Sequence, residues 1–215
     1  WLICHAAALS GPGGAIGLAA FSGGGKSTLM LHLMENESYR FLSNDRLFIR
    51  TDDGATRACG VAKLPRVNPG TIVHNPRLQA LLDPSRREQL LAMPREALWQ
   101  LEEKYDVSID RFYGEQRIQQ MAPLSRFLVL NWQRDSDQAT TITEVDPASR
   151  PDLLAAIAKS PGPFYQDAGG QFLSGSSLPP LQRYVQALGR TPLYEVSGRT
   201  DFARAVTLIS QLGGH

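Results

Sequence analysis

Cysteine is scarce: Cys4 and Cys59 are the only two in 215 residues. Two thiols build neither a disulfide framework nor a four-cysteine zinc site. They fit a reducing compartment, so a cytoplasmic location is the expectation. A charge excess of either sign is also missing. Lys plus Arg is 22 and Asp plus Glu is 21, for a formal net charge of +1. A dedicated nucleic-acid binder usually carries a strong basic surplus, so no nucleic-acid partner is expected. An acidic disordered tail is excluded on the same count. No stretch approaches the ~18 uninterrupted apolar residues of a membrane helix, and no membrane association is expected. Internal repeats and low-complexity tracts are absent as well. What remains is 42% hydrophobic residues with a mean hydropathy of −0.22, the profile of a globular soluble chain. That length suits one well-cored α/β domain, and no composition break marks a second, so 1–215 is read as a single domain. The start at Trp1 lacks the charged prelude of a secretory signal and suggests an excised domain of a longer protein.

Residues 1–9 read as a strand, Ser10 to Gly14 as a turn cluster, and Ala15 to Phe21 as a second, buried strand. A helix follows from Lys26, with Leu29, Met30, Leu33 and Met34 on its inner side. Strands are expected at Phe41-Leu42 and at Leu47 to Ile49, with a hairpin turn at Asp52-Asp53-Gly54. Residues 60–76 carry three prolines and read as extended or looped, not helical. Residues 77–105 read as helical, broken near Met93-Pro94. Arg126 to Trp132 is the clearest later strand. Helices are expected over 150–160 and Leu181 to Leu188, then a strand at Leu193 to Val196 and a last helix over Asp201 to Leu212. Pro161-Gly162-Pro163 makes a stiff turn.

The strongest signal is Ala20-Phe21-Ser22-Gly23-Gly24-Gly25-Lys26-Ser27-Thr28. It follows an apolar strand and opens a helix, the setting a phosphate-binding P-loop requires. Glycines without Cβ let backbone N–H groups of Ser22, Gly23, Gly24 and Gly25 turn inward on a polyphosphate. The helix N-terminus, starting at Lys26, Ser27 and Thr28, adds its dipole. Lys26 would reach the β- and γ-phosphates, and the Ser27 hydroxyl would ligate Mg²⁺. A nucleoside triphosphate with Mg²⁺ is therefore expected. The strict pattern begins on glycine where this chain has Ala20.

A P-loop alone does not name a reaction. A kinase also needs a carboxylate for Mg²⁺ and a base for the incoming hydroxyl. Asp45 lies one helix and one strand beyond Lys26, where a doubly wound sheet would bring it beside the loop, and is the candidate for both roles. The alternative is a turn aspartate bonding its own backbone. His5, in the first strand, could orient that carboxylate or take a proton from it. A lone histidine serves structure more often than chemistry, and the residues alone leave its role open.

Together, Cys4-His5-Ala6-Ala7, the loop through Ser27, and Ser43-Asn44-Asp45-Arg46 resemble the catalytic domain of the HPr kinase/phosphorylase family. The resemblance covers residues 1–50 well and 55–75 and 193–206 faintly. It implies an α/β P-loop domain with a fold akin to the nucleotide domain of PEP carboxykinase. It also implies ATP-dependent phosphorylation of a hydroxyl, often a protein serine, by a divergent relative rather than a true HPr kinase. Asp45 would match the second aspartate of the family's pair and His5 the histidine behind it. Oligomeric assembly is implied too. Asn44 stands where the family has its first aspartate, and the acidic residue expected just before Arg57 is missing. Those departures keep two alternatives open: a nucleotide-binding regulatory module without phosphotransfer, and a small-molecule kinase.

Lesser features were weighed beside these. Arg57 to Val61 and Gly198-Arg199 echo other family elements. Leu173 to Ser177 has the look of a transporter ATPase signature but lacks its following apolar strand and aspartate. Lys63 to Gly70 is a prolyl segment with two cations that either faces phosphate or acceptor or is a solvated loop. Arg77, Arg86, Arg87 and Arg95 read as a solvated helix face, and His32 and His74 show no partners. Trp99 and Trp132 read as core rather than ligand-stacking residues.

Overall fold

The computed structural model describes residues 1–61, 63–163, 165–167, 169–172 and 178–212. The first apolar run breaks at His5 into β1 (Leu2–Cys4) and β2 (Ala6–Gly11). A tight turn at Pro12-Gly13 returns the chain as β3 (Gly14–Ala20), antiparallel to β2. The glycine-rich loop then leads into α1 (Lys26–Leu33). Next come β4 (Arg40–Ser43), β5 (Leu47–Asp52) and β6 (Ala55–Gly60), the last two forming the expected hairpin. A side excursion follows: β7 (Arg66–Val67), α2 (Pro69–Val73), α3 (Pro84–Leu91), α4 (Arg95–Gln100), β8 (Tyr105–Asp106) and α5 (Ile109–Tyr113). The chain closes with β9 (Met121–Leu130), β10 (Thr141–Val145), α6 (Pro151–Ile157), α7 (Leu181–Leu188), β11 (Leu193–Ser197) and α8 (Phe202–Gln211).

The main sheet runs β1-β5-β6-β9-β3-β2-β4, with β11 and then β10 attached to β9. It is mixed α/β. The strands β3, β9 and β11 are parallel and the other pairings antiparallel, so the doubly wound parallel expectation does not hold. The sheet curls. Met121–Pro123 of β9 pairs with β6, and the rest of β9 pairs with β3. The other ends of the two halves are joined through the chain itself. β1 on one half runs into β2 on the other at His5, and β4 runs into β5 at Asn44–Arg46. Glycine allows the halves to approach: a Cβ on Gly60 would sit 1.8 Å from the Leu42 carbonyl oxygen.

Both faces of the central strands are buried, which is why they read as continuous apolar runs rather than alternating ones. On one face Ala7, Leu9, Ile16, Leu18, Leu128 and Leu130 pack under α1 and α8. On the other, Ala6, Ala8, Ala15, Ala19, Phe127 and Val129 pack under α6. Each large side chain fully buried this way contributes about 1.5–3 kcal/mol.

Three local readings are corrected. Residues 69–73 are helical after all, because Pro69 occupies the first helical position, where its missing N–H costs nothing. The helical stretch from 77 ends at Gln100, and 105–106 pair instead as β8 with β7. The strands β10 and β8 and helix α5 were not anticipated. All three are short, and β10 has an exposed face with little apolar pattern. Leu173 to Ser177 lies outside the described residues. Among the described residues no helix is long and apolar enough to cross a membrane.

Candidate functional site

Ser22 to Gly25 join the buried strand β3 to α1. Gly23 and Gly25 adopt φ of 77° and 87°, a region that strains residues with a Cβ. A Cβ on Gly24 would lie 2.6 Å from that of Ala20, and one on Gly25 2.9 Å from the Phe202 ring. Alanine at position 20 is thus accommodated because residue 24 has no side chain. The Trp132 indole donates to the Gly24 carbonyl at 2.9 Å and meets Phe202 edge-on, so it buttresses the loop from behind. No side chain caps α1, which leaves its first-turn N–H groups available to an anion.

Burial pushes the Lys26 ammonium below its ordinary pKa; Asp45 opposes that shift, while Lys159 and Lys104 add to it. The Ser27 hydroxyl donates to Asn44 Oδ1 at 2.7 Å. The Thr28 and Thr71 hydroxyls are hydrogen-bonded at 2.8 Å and tie α1 to α2.

Asp45 sits in a turn closed by the Ser43 hydroxyl donating to the Arg46 carbonyl. Its φ of 71° is left-handed, a conformation aspartate tolerates. One carboxylate oxygen meets His5 Nε2 at 3.0 Å and the other accepts from Lys159 Nζ at 3.0 Å. Burial alone would raise this carboxyl's pKa. The hydrogen bonds from His5 and Lys159, with the charges behind them, prevail and hold it well below the usual carboxylate range.

Lys159 is the participant that sequence reading missed. It follows α6, and its backbone N–H donates to the Tyr184 hydroxyl at 3.0 Å. That hydroxyl donates in turn to the Ile3 carbonyl at 2.8 Å. Burial pushes the Tyr184 phenol up to about 12, so it remains a donor. His5 is fixed on the same end of α6 by its own N–H donating to the Ile157 carbonyl at 2.7 Å. The only signal in the sequence was a lysine at a helix exit before Pro161, which is not diagnostic.

These groups face a cleft of about 310 Å³. The glycine loop, His5, Asn44 and Asp45 form one wall, and Lys63, Arg66, Val67, Asn68, Thr71 and Lys104 form the other. The prolyl segment after Lys63 is therefore part of the cleft, not simply a solvated loop. Asn68 Oδ1 is buried there without a hydrogen-bond partner. A larger cavity of about 550 Å³, between His32, His74 and Arg77, shares no lining residue with this cleft. Open and built around the Arg77–Glu35 ion pair, it offers nothing of the loop's chemistry.

Other expected features fall elsewhere. Gly198 and Arg199 do not line the cleft, and the Arg199 carbonyl accepts from Thr140. Glu195 forks with Arg150, and β6 carries Arg57 away from the cleft lining. Arg77 and Arg86 are ion-paired rather than merely solvated. Trp99 is half-buried between the Arg95 and Arg134 guanidiniums instead of in the core.

Among the described residues no three His, Cys, Asp or Glu side chains gather to hold a metal. The oxygen donors present, Ser27 Oγ, Asn44 Oδ1 and Asp45, suit Mg²⁺ arriving with phosphate oxygens and water, which is how that ion is commonly held.

Taken together, fold and site define a mixed α/β domain with a curled sheet and a glycine-rich strand–loop–helix facing one carboxylate. No protein-family model matches the chain. No curated protein matches it either. Among solved structures it is similar to the Hpr(Ser) kinase/phosphatase from Coxiella burnetii, at 10% identity over 99% of this chain and 96% of that one, with a TM-score of 0.47.

Proposed function

We propose that this chain is an ATP-dependent kinase that passes the γ-phosphate to a hydroxyl, foremost a serine of a protein acceptor. The carrying observation is the convergence of Lys26, Ser27 and the His5–Asp45 pair on one cleft. The family resemblance of residues 1–50 points the same way. When bound, ATP supplies the phosphoryl group and Mg²⁺ neutralises its charge.

The loop backbone and Lys26 hold the polyphosphate, and Ser27 with Asp45 holds the metal. Lys26 sits where charge develops on the transferred group, and that stabilisation supplies most of the rate. Asp45 orients the acceptor hydroxyl and takes its proton, with His5 behind it. Its depressed pKa makes it a weak base. Phosphoryl transfer tolerates this, because a loose transition state needs positioning more than proton abstraction.

A second reading is a nucleotide-binding regulatory module. It is favoured by Asn44 in place of a carboxylate and by the engagement of both Asp45 oxygens. Transfer of radiolabelled γ-phosphate from ATP to serine peptides, a lysate and a metabolite panel separates the readings. The kinase reading expects transfer that Asp45→Ala abolishes while ATP binding persists. Tight ATP binding with no transfer to any of these acceptors establishes the regulatory module instead.

A further inference from the structure

The cleft has more positive charge than a phosphate loop uses. Lys26 belongs to the loop. Lys63, Arg66 and Lys104 stand on the opposite lip, all exposed. They come from the β7–β8 ribbon and its approaches, in which Arg66 lies opposite Asp106 and the Val107 N–H donates to the Pro65 carbonyl at 2.8 Å. Among the described residues Asp45 is the one acidic residue lining the cleft, and it is already held by His5 and Lys159. Arg66 has Asp106 at 3.4 Å, but both are well exposed, where such pairs contribute little. The lip therefore carries a net positive charge toward whatever lies across the glycine loop.

Two details set the shape of that ligand. Lys63 and Arg66 are three residue steps apart, a span of up to roughly 10 Å, longer than one phosphate or carboxylate. Lys104 enters from the approach to the other strand, so the positive charge is spread over the ribbon rather than gathered at one point, which suits a chain carrying several acidic side chains.

We infer that the acceptor is an acidic polypeptide segment, laid along the β7–β8 ribbon with its acidic side chains on Lys63, Arg66 and Lys104. This rests on the kinase reading for its use in transfer, but not for binding. The nucleotide's own phosphates are the competing source of negative charge.

The test titrates fluorescein-labelled serine peptides with acidic, neutral or basic flanks against the chain, in the presence of a non-hydrolysable ATP analogue and Mg²⁺. Anisotropy reads peptide binding, and a separate titration reads the analogue. The acidic peptide is expected to bind about tenfold or more tighter than the basic one. The double variant Lys63→Glu/Lys104→Glu should invert that order and weaken the analogue far less than it weakens the acidic peptide. Equal binding of the three peptides overturns the inference. So does a double variant that loses the analogue as steeply as the peptide, since the lip then serves the nucleotide. In a parallel assay with radiolabelled ATP, acidic binding without transfer to the peptides, a lysate or a metabolite panel upholds the docking surface and rejects the kinase reading. Phosphotransfer without charge preference does the reverse.

Discussion

The Ser27 hydroxyl and Asn44 Oδ1 are hydrogen-bonded at 2.7 Å, with Asn44 only 6% exposed. Asn44 thus bonds the residue expected to hold the metal. Asn44→Asp keeps the acceptor for Ser27 and adds a charge beside Lys26. Mg²⁺-dependent nucleotide binding should tighten, read as a lower Mg²⁺ midpoint in a nucleotide titration. Asn44→Ala should instead destabilise by about 1 kcal/mol, because the serine loses its partner.

Lys159 holds Asp45 from the side opposite His5, and Lys159→Met tests it. Without that ammonium the Asp45 pKa rises toward its ordinary value. The acidic limb of any Asp45-dependent activity should then move to higher pH. Stability follows with a definite sign. A carboxyl whose folded pKa is depressed contributes stability above its unfolded pKa of about 4, and loses it as the pH falls toward the folded value. Urea midpoints should drop below about pH 4 in the wild type and be flatter there in Lys159→Met. At neutral pH the variant should be less stable by about 1 kcal/mol, since the pair is partly exposed.

Gly23 and Gly25 separate strain from crowding. Both have positive φ, but a Cβ meets nothing within 4 Å at Gly23 and the Phe202 ring at Gly25. Gly23→Ala should cost about 1 kcal/mol and Gly25→Ala about 2–3 kcal/mol. Both should weaken ATP binding. Thermal melts with and without nucleotide distinguish the two contributions.

Tyr184→Phe removes a hydroxyl that joins β1 to the exit of α6. The Ile3 carbonyl and Lys159 N–H are left unpaired in a buried place, costing about 1–3 kcal/mol. The variant should lose more phosphotransfer than nucleotide affinity, because its effect reaches Asp45 through Lys159. Activity and ATP-analogue titrations on the same preparation check this.

The glycine loop and α1 were legible in the sequence because their signal is local, a buried strand, a turn only glycine can make, and a helix. His5 gained a role only through the family resemblance, since one imidazole has no pattern of its own. Lys159 meets Asp45 across 114 residues of sequence, and no periodicity encodes such a meeting. Lys63 and Lys104 reach the cleft just before the two strands of a two-residue ribbon, too short to announce itself. Pro69 misled in a specific way: the same ring that breaks a helix interior starts a helix well.

Besides β9, which belongs to both halves, the chain passes from one half of the curled sheet to the other at His5 and at Asp45. Their 3.0 Å contact is therefore a gauge of how far the curl has closed. Because β9 belongs to both halves, the curl can loosen only at the other ends, where His5 and Asp45 stand. The proposed transfer should therefore be lost at lower urea than the far-UV signal of the strands.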